Sequence, residues 1–284
     1  METAEKKMAL KKGVAYKLCT CGLSKTLPFC DESHKEFNEI HNTHYKSLKI
    51  TPQENVEVTI SSKNWEHPFG MFIKEGNKEM LEHFAAETIT EAMRKIIIDK
   101  GKVIFGVVGG RNVSRIFSLV SSQQLDWSKV HIFLLDERKT TIREEHNGSI
   151  VQNYFSGKAT VHSFDSGKTA TEYEKEFFKE EDRFDIILAS SGEDGHIASL
   201  YPFHDSIKND YYGFIDVHDS PKPPSERISA SRRLIEQSSL AFLLFFGEEK
   251  KKAFEHFLDK NMSVVECPAK IIWKIRKSFV TVDE

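Results

Sequence analysis

Four short apolar runs constrain the fold of this chain more than any other feature: VIFGVV at 103–108, HIFLL at 131–135, FDIILA at 184–189 and LAFLLFF at 240–246. Each is bounded by polar turns and is continuous rather than alternating. Strands buried on both faces read this way, and such strands belong to a parallel sheet covered by helices. Helical patterns separate the runs. Residues 77–98 place Met80, Leu81, Phe84, Ala85, Ile89 and Met93 at near-helical spacing, and shorter patterns cover 115–120 and 248–258. The expectation is an α/β fold with a doubly wound, mostly parallel sheet, whose ligands bind at the carboxyl ends of its strands.

The chain has 284 residues, 39% hydrophobic and 29% charged, enough for one large domain and a small appendage. A net charge of −3 gives no reason to expect nucleic acid or an acidic membrane surface as partner. No apolar run approaches the roughly 18 residues needed to span a bilayer. The opening METAEKKMALKKG has no apolar core of a secretory leader. Together with sparse cysteine use, this points to a reduced, cytoplasmic setting. Residues 1–50 read as a small module, ITPQEN around Pro52 as a linker, and 51–284 as the large domain.

Three of the four cysteines fall in CTCGLSKTLPFCDESH at 19–34. The surrounding residues 13–50 lack the apolar surface to fold unaided, a deficit that a bound metal commonly makes good. The spacing is Cys19-x-Cys21-x8-Cys30-x3-His34. One pair can grip one iron and the second pair another, with sulfide bridging them as in a two-iron cluster. Zinc is the rival, since Cys3His is a normal structural zinc set, although zinc pairs usually stand two to four residues apart. His41 and His44 lie nearby without a matching spacing. The stretch is similar to the CDGSH iron–sulfur family over about residues 13–40, including Gly22, Ser24, Pro28, Asp31 and Ser33. That resemblance implies that Cys19, Cys21, Cys30 and His34 ligate a 2Fe-2S cluster, with an electron-transfer partner and a homodimer as further expectations. Glu32 departs from the family's glycine. If φ is positive there, the side chain costs about 1 kcal/mol, and its charge should lower the reduction potential.

Three polar motifs follow the strands. VVGGRNVSRIF at 107–117 puts two glycines between strand and helix, where backbone N–H groups and the helix dipole attract an anion, or where a tight turn is simply needed. LLDERK at 134–139 brings Asp136, Glu137 and Arg138 to a strand end, suited to a sugar and a phosphate or to an internal ion pair. SSGEDGHIASLYP at 190–202 frames Glu193, Asp194 and His196 with glycines, and histidine is the side chain best able to take a proton from water near neutral pH.

With PPSERISAS at 223–231 and LLFFGEEKKKAF at 243–254, these motifs resemble the 6-phosphogluconolactonase family over about residues 56–284. The wider group includes glucosamine-6-phosphate deaminases, from which DER, Asn147 and HIASLYP set the chain apart. The resemblance implies hydrolysis of 6-phospho-glucono-1,5-lactone, a phosphorylated sugar lactone, without a catalytic metal. His196 would be the general base, with Asp194 or Glu193 orienting the imidazole or the sugar hydroxyls. Backbone N–H groups around Gly195 would face the oxyanion. Gly109, Gly110 and Arg111, with Arg138 and Arg227, would hold the phosphate, and Asn112, Asp136 and Asn147 would complete the binding set. Asn112-Val113 stands in place of the family's Thr-Pro, Ser149 in place of an arginine and Ser190 in place of a glycine. These departures keep two rivals in view: a deaminase-like enzyme, and a non-catalytic, iron- or redox-responsive sugar-phosphate binder. Elsewhere, Glu248–Lys252 reads as a solvated helix face, Trp273 as packing a late strand, Cys267 as a small buried residue and Tyr211-Tyr212 as a loop anchor.

Overall fold

In a computed structural model of the chain, the residues described are 5–24, 26–35, 38, 44–62, 65, 70–164 and 168–283. The chain divides into two compact units, Met1–Phe72 and Ile73–Glu284. Strands of the first unit are β1 (Glu5–Leu10), β2 (Tyr16–Leu18), β3 (Leu48–Ile50) and β4 (Val56–Ser61), with β1 antiparallel to β4 and β2 antiparallel to β3. The division thus falls later than the expected 50/51 boundary, because β4 supplies the hydrogen-bonding edge for β1 and stays with the first unit. Few large side chains are buried there among the described residues, Leu10, Leu18, Leu23 and Trp65 being examples. The Trp65 indole donates to the Cys19 carbonyl at 3.1 Å, which ties the cysteine stretch to that small core.

The remaining elements in chain order are β5 (Met71–Gly76), α1 (Lys78–Lys100), β6 (Val103–Val107), α2 (Arg111–Ser121), β7 (Val130–Leu134), β8 (Asp136–Arg138), α3 (Asn147–Phe155) and β9 (Thr160–His162). They continue with α4 (Ala170–Glu180), β10 (Ile186–Ser190), α5 (Asp205–Lys208), β11 (Phe214–Val217), β12 (Arg227–Ala230), α6 (Arg232–Glu236), β13 (Leu240–Phe245), α7 (Lys251–Leu258) and β14 (Ser278–Asp283). The main sheet has seven strands in the order β5-β14-β13-β10-β6-β7-β9. The β9-β7, β7-β6, β6-β10, β10-β13 and β13-β14 ladders are all parallel.

The four apolar runs are β6, β7, β10 and β13. Every residue of β6 and of β13 is buried, which is why neither shows the alternation of a half-exposed strand. Helix α1 starts where the Asn77 side chain accepts the Met80 N–H at 2.9 Å and ends at Gly101 with φ 82°. From β6 the chain winds to β7 and β9 on one side and to β10, β13 and β14 on the other. The reversal lies between β6 and β10, the switch point at which such sheets bind ligands.

A second, antiparallel sheet of order β11-β12-β8 was not anticipated. Its register sets Arg227 opposite Arg138 and Ser229 opposite Asp136. Trp273 also differs from expectation: it sits in a 3-10 helix, Pro268–Lys274, where its ring meets Phe257 edge-on at 5.9 Å and lies 3.8 Å from the Lys270 Nζ. Tyr211 and Tyr212 do anchor their loop, donating to Glu174 Oε1 at 2.6 Å and to the Asp182 carbonyl at 2.5 Å. Among the described residues no helix is long and apolar enough to cross a membrane.

Candidate active site

A cavity of about 500 Å³ opens where β6 and β10 end. The loop after β6 gives it Gly109, Gly110, Arg111 and Asn112, β8 gives Asp136 and Arg138, the start of α3 gives Asn147, the loop after β10 gives Glu193 and His196, and β12 gives Arg227. Sequence-distant motifs therefore meet at one place, as the strand-end rule requires.

His196 and Asp194 form a close pair, Nδ1 to Oδ1 at 2.5 Å, and the His196 backbone N–H adds a bond to the same oxygen at 3.2 Å. A carboxylate accepts, so in the neutral imidazole Nδ1 carries the proton and Nε2 keeps its lone pair. Burial works against the Asp194 charge, but the hydrogen bond and the nearby imidazole outweigh it and hold the carboxyl at about 2. The turn is closed by the Gly192 N–H on the His196 carbonyl at 2.8 Å and the Gly195 N–H on the Gly192 carbonyl at 3.1 Å. A Cβ at Gly192 would lie 2.0 Å from His196 Nδ1, so only glycine leaves room for the ring. The buried Tyr201 ring lies 4.8 Å away, centroid to centroid.

Several expected roles change. Glu193 does not orient the imidazole: it is exposed and pairs with Lys222 at 2.8 Å, leaving that task to Asp194. The Gly195 amide is spent inside the turn, and Gly195 does not line the cavity, so the expected oxyanion contact from this amide is absent. Arg227 lines the cavity, yet its Nε and Nη2 donate to the carbonyls of Pro224, Pro223 and Lys222 at 3.0–3.2 Å, with Nη1 3.9 Å from Asp136. Most of its fork holds the 222–227 loop rather than facing a phosphate. The Asn112 amide donates to the Phe246 carbonyl at 3.2 Å and is likewise engaged. Arg138 donates through Nη1 to the Glu145 carbonyl at 2.7 Å, while its buried Nε has no partner among the described residues. Ser149 donates to the Arg143 carbonyl and lines an adjacent cleft, not the cavity that holds His196.

Asp136 is 5% exposed and accepts the Ser199 hydroxyl at 2.8 Å and the Asn147 amide at 3.3 Å. Asn147 presses against the loop after β6: a Cβ on Gly109 would meet its Oδ1 at 2.2 Å. The first glycine of that loop is thus demanded by packing as much as by anion approach.

Three cations went unrecognised in the sequence: Lys78, Lys222 and Lys250 all line the cavity. Reading Glu248–Lys252 as a solvated face is corrected at Lys250, whose Nζ reaches inward to the Ser191 carbonyl at 2.6 Å. Burial lowers its pKa. The available signal was its place just beyond the carboxyl end of β13. Cys267, as expected, is a buried small residue; it backs the 192–196 turn and burial pushes its thiol up to about 11.

In the first unit, Cys19 Sγ and Cys21 Sγ lie 3.5 Å apart, and Cys30 Sγ lies 3.4 Å from His34 Nδ1. Backbone N–H groups of Gly22, Leu23 and Glu32 point at the three sulfurs at 3.3–3.4 Å, an environment suited to thiolates. A hydrogen bond from Cys21 favours the Cys19 thiolate and holds it at about 5, while the same sharing and burial push Cys21 up. Among the described residues, no His, Cys, Asp or Glu cluster of three or more is gathered closely enough for one metal ion. The four side chains stand as two pairs. Glu32 has φ 69°, the left-handed value the glycine comparison anticipated, and its carboxylate pairs with Lys17 and Lys35. His41 lies outside the described residues.

Residues 76–281 match the family model of glucosamine-6-phosphate isomerases/6-phosphogluconolactonase, and residues 1–35 match that of the iron-binding zinc finger CDGSH type. The 6-phosphogluconolactonase of Borreliella burgdorferi is 35% identical over 191 residues, covering 62% of this chain and 81% of that protein. That of Thermotoga maritima is 28% identical over 177 residues, covering 59% and 80%. The crystal structure of 6-phosphogluconolactonase from Thermotoga maritima superposes with a TM-score of 0.65 over 76% of this chain and 99% of its own, at 23% identity. The Leishmania guyanensis 6-phosphogluconolactonase structure gives 0.66 over 75% and 96%, at 20% identity. These two likenesses speak to the fold.

Proposed function

The chain belongs to the glucosamine-6-phosphate isomerase/6-phosphogluconolactonase family, and on that premise we propose that it hydrolyses 6-phospho-glucono-1,5-lactone to 6-phosphogluconate. The observation that carries this reading is the His196–Asp194 pair at the wall of a cation-lined cavity. The free Nε2 takes a proton from water as the oxygen attacks the lactone carbonyl carbon. Asp194 stabilises the imidazolium that results. The ring C–O bond then breaks, and the imidazolium returns its proton to the departing ring oxygen, which becomes a hydroxyl. A base of this kind contributes about 10²–10⁴-fold. Lys78, Arg111 and Lys250, with the amino end of α2, supply the positive charge that a phosphate dianion needs.

The amino-terminal unit, in the same reading, holds a 2Fe-2S cluster on Cys19, Cys21, Cys30 and His34, with zinc the alternative at the same ligands. Two pairs of ligands suit one iron each, and such a cluster supplies a one-electron site when bound.

Lactone hydrolysis followed in a pH-stat, beside the visible spectrum and the iron and zinc content of the same sample, tests both parts. A rate no greater than spontaneous hydrolysis would remove the lactonase reading. Turnover of glucosamine 6-phosphate instead would favour the deaminase branch. A colourless protein with one zinc would replace the cluster.

A further inference from the structure

Glu137 sits between two cavity residues, Asp136 and Arg138, but its own side chain turns away from the cavity and is almost fully buried, 3% exposed. One carboxylate oxygen accepts the backbone N–H groups of Arg138 and Asn147, both at 2.8 Å, and the other accepts that of Gly148 at 2.7 Å. Asn147 and Gly148 open helix α3, whose amino end makes no side-chain cap bond of its own at His146. Orphan N–H groups at a helix start are normally satisfied by a residue just before the helix. Here the cap comes instead from strand β8, and the same carboxylate also fixes the backbone of Arg138.

We propose that Glu137 is a positioning residue for substrate binding, acting through Asn147 and Arg138; this rests on the lactonase reading above. With its backbone held by Glu137, Asn147 packs its side chain on Gly109 and donates to Asp136, joining the loop after β6 to the β8 wall of the cavity. An ionised carboxylate accepts all three amides strongly, whereas protonation turns one oxygen into a weakly accepting hydroxyl. A glutamine of the same shape would turn an N–H₂ group towards one of those donors. Burial raises the Glu137 pKa, so the clamp weakens on acidification before an exposed carboxylate would protonate. The titratable group facing it from the adjoining turn is His146, whose Nδ1 lies 3.8 Å away while Nε2 is held at the Thr140 carbonyl at 2.8 Å; Asp136 precedes it on the strand, and Lys168 lines the same small cavity as Glu137. Arg138 adjoins it on its own strand.

Glu137→Gln should raise KM for 6-phospho-glucono-1,5-lactone about tenfold, the worth of one buried charge-assisted bond, with kcat within about threefold because His196 and Asp194 are untouched. Combined with Asn147→Ala, its effect on KM should shrink, since part of it passes through the Asn147 side chain. An unchanged KM, a fall in kcat alone, or fully additive effects would overturn the proposal. If Glu137→Gln does not fold, amide NMR of the unmodified protein decides: the Arg138, Asn147 and Gly148 resonances should move together with one apparent pKa, and separate midpoints would overturn it. Absence of lactone hydrolysis by the unmodified protein would instead count against the lactonase reading, a distinguishable failure.

Discussion

His196 and Asp194 are two positions apart, so a single tight turn brings them together, and the chemistry of the cavity rests on that local geometry. His196→Ala should lower kcat by about 10²–10⁴ while leaving the melting temperature within a few degrees, measured by pH-stat and thermal denaturation. Asp194 is held at about 2 against an ordinary 3.8. Its pairing therefore stabilises the fold fully above the ordinary value and loses that contribution as pH falls through the lower one. The amount is at most about 2 kcal/mol, reduced by water because a third of the side chain is exposed. An acid denaturation series with Asp194→Asn should lack this component. Lys250 carries the opposite sign: burial lowers its pKa, so its charge disappears at lower alkaline pH than that of an exposed lysine. KM for a phosphorylated substrate should climb in that range, and Lys250→Met should abolish the climb.

Elements set the tolerances within which these residues act. The turn after β10 admits no side chain at Gly192, because a Cβ would fall 2.0 Å from the imidazole and 2.7 Å from Asp194. Gly192→Ala should displace the ring by a fraction of an ångström or more and lower kcat about a hundredfold, with the sheet intact by circular dichroism. In the first unit Glu32 occupies a left-handed backbone position. Glu32→Gly should relieve about 1 kcal/mol of strain, offset by two exposed ion pairs worth little, so a small rise in thermal stability is expected. Strands β6, β7, β10 and β13 were legible because burial on both faces leaves an unbroken apolar run. Strands β8, β11 and β12 were not, since three or four residues carry too little periodicity and their pairing joins segments far apart in sequence.

At the scale of the whole molecule, the Cys19/Cys21 and Cys30/His34 pairs and the cavity belong to separate compact units. Cys30→Ser should bleach visible absorbance and leave most lactone hydrolysis, read in the same sample. Loss of both would make the cluster a structural requirement of the enzyme.

Sequence alone determined the four central strands of the sheet, β6, β7, β10 and β13, because continuous apolar runs admit few other arrangements, and it placed the His196–Asp194 pair and the Cys19/Cys21 and Cys30/His34 pairs, because each is local. Only the tertiary structure decided which charged side chains face the cavity. Lys250 turned inward from a run that reads as solvated, the fork of Arg227 turned onto backbone carbonyls, and Glu137 capped a helix that begins ten residues later in the chain. Those outcomes depend on which backbone groups folding leaves unsatisfied nearby, a quantity that no residue carries in its own identity.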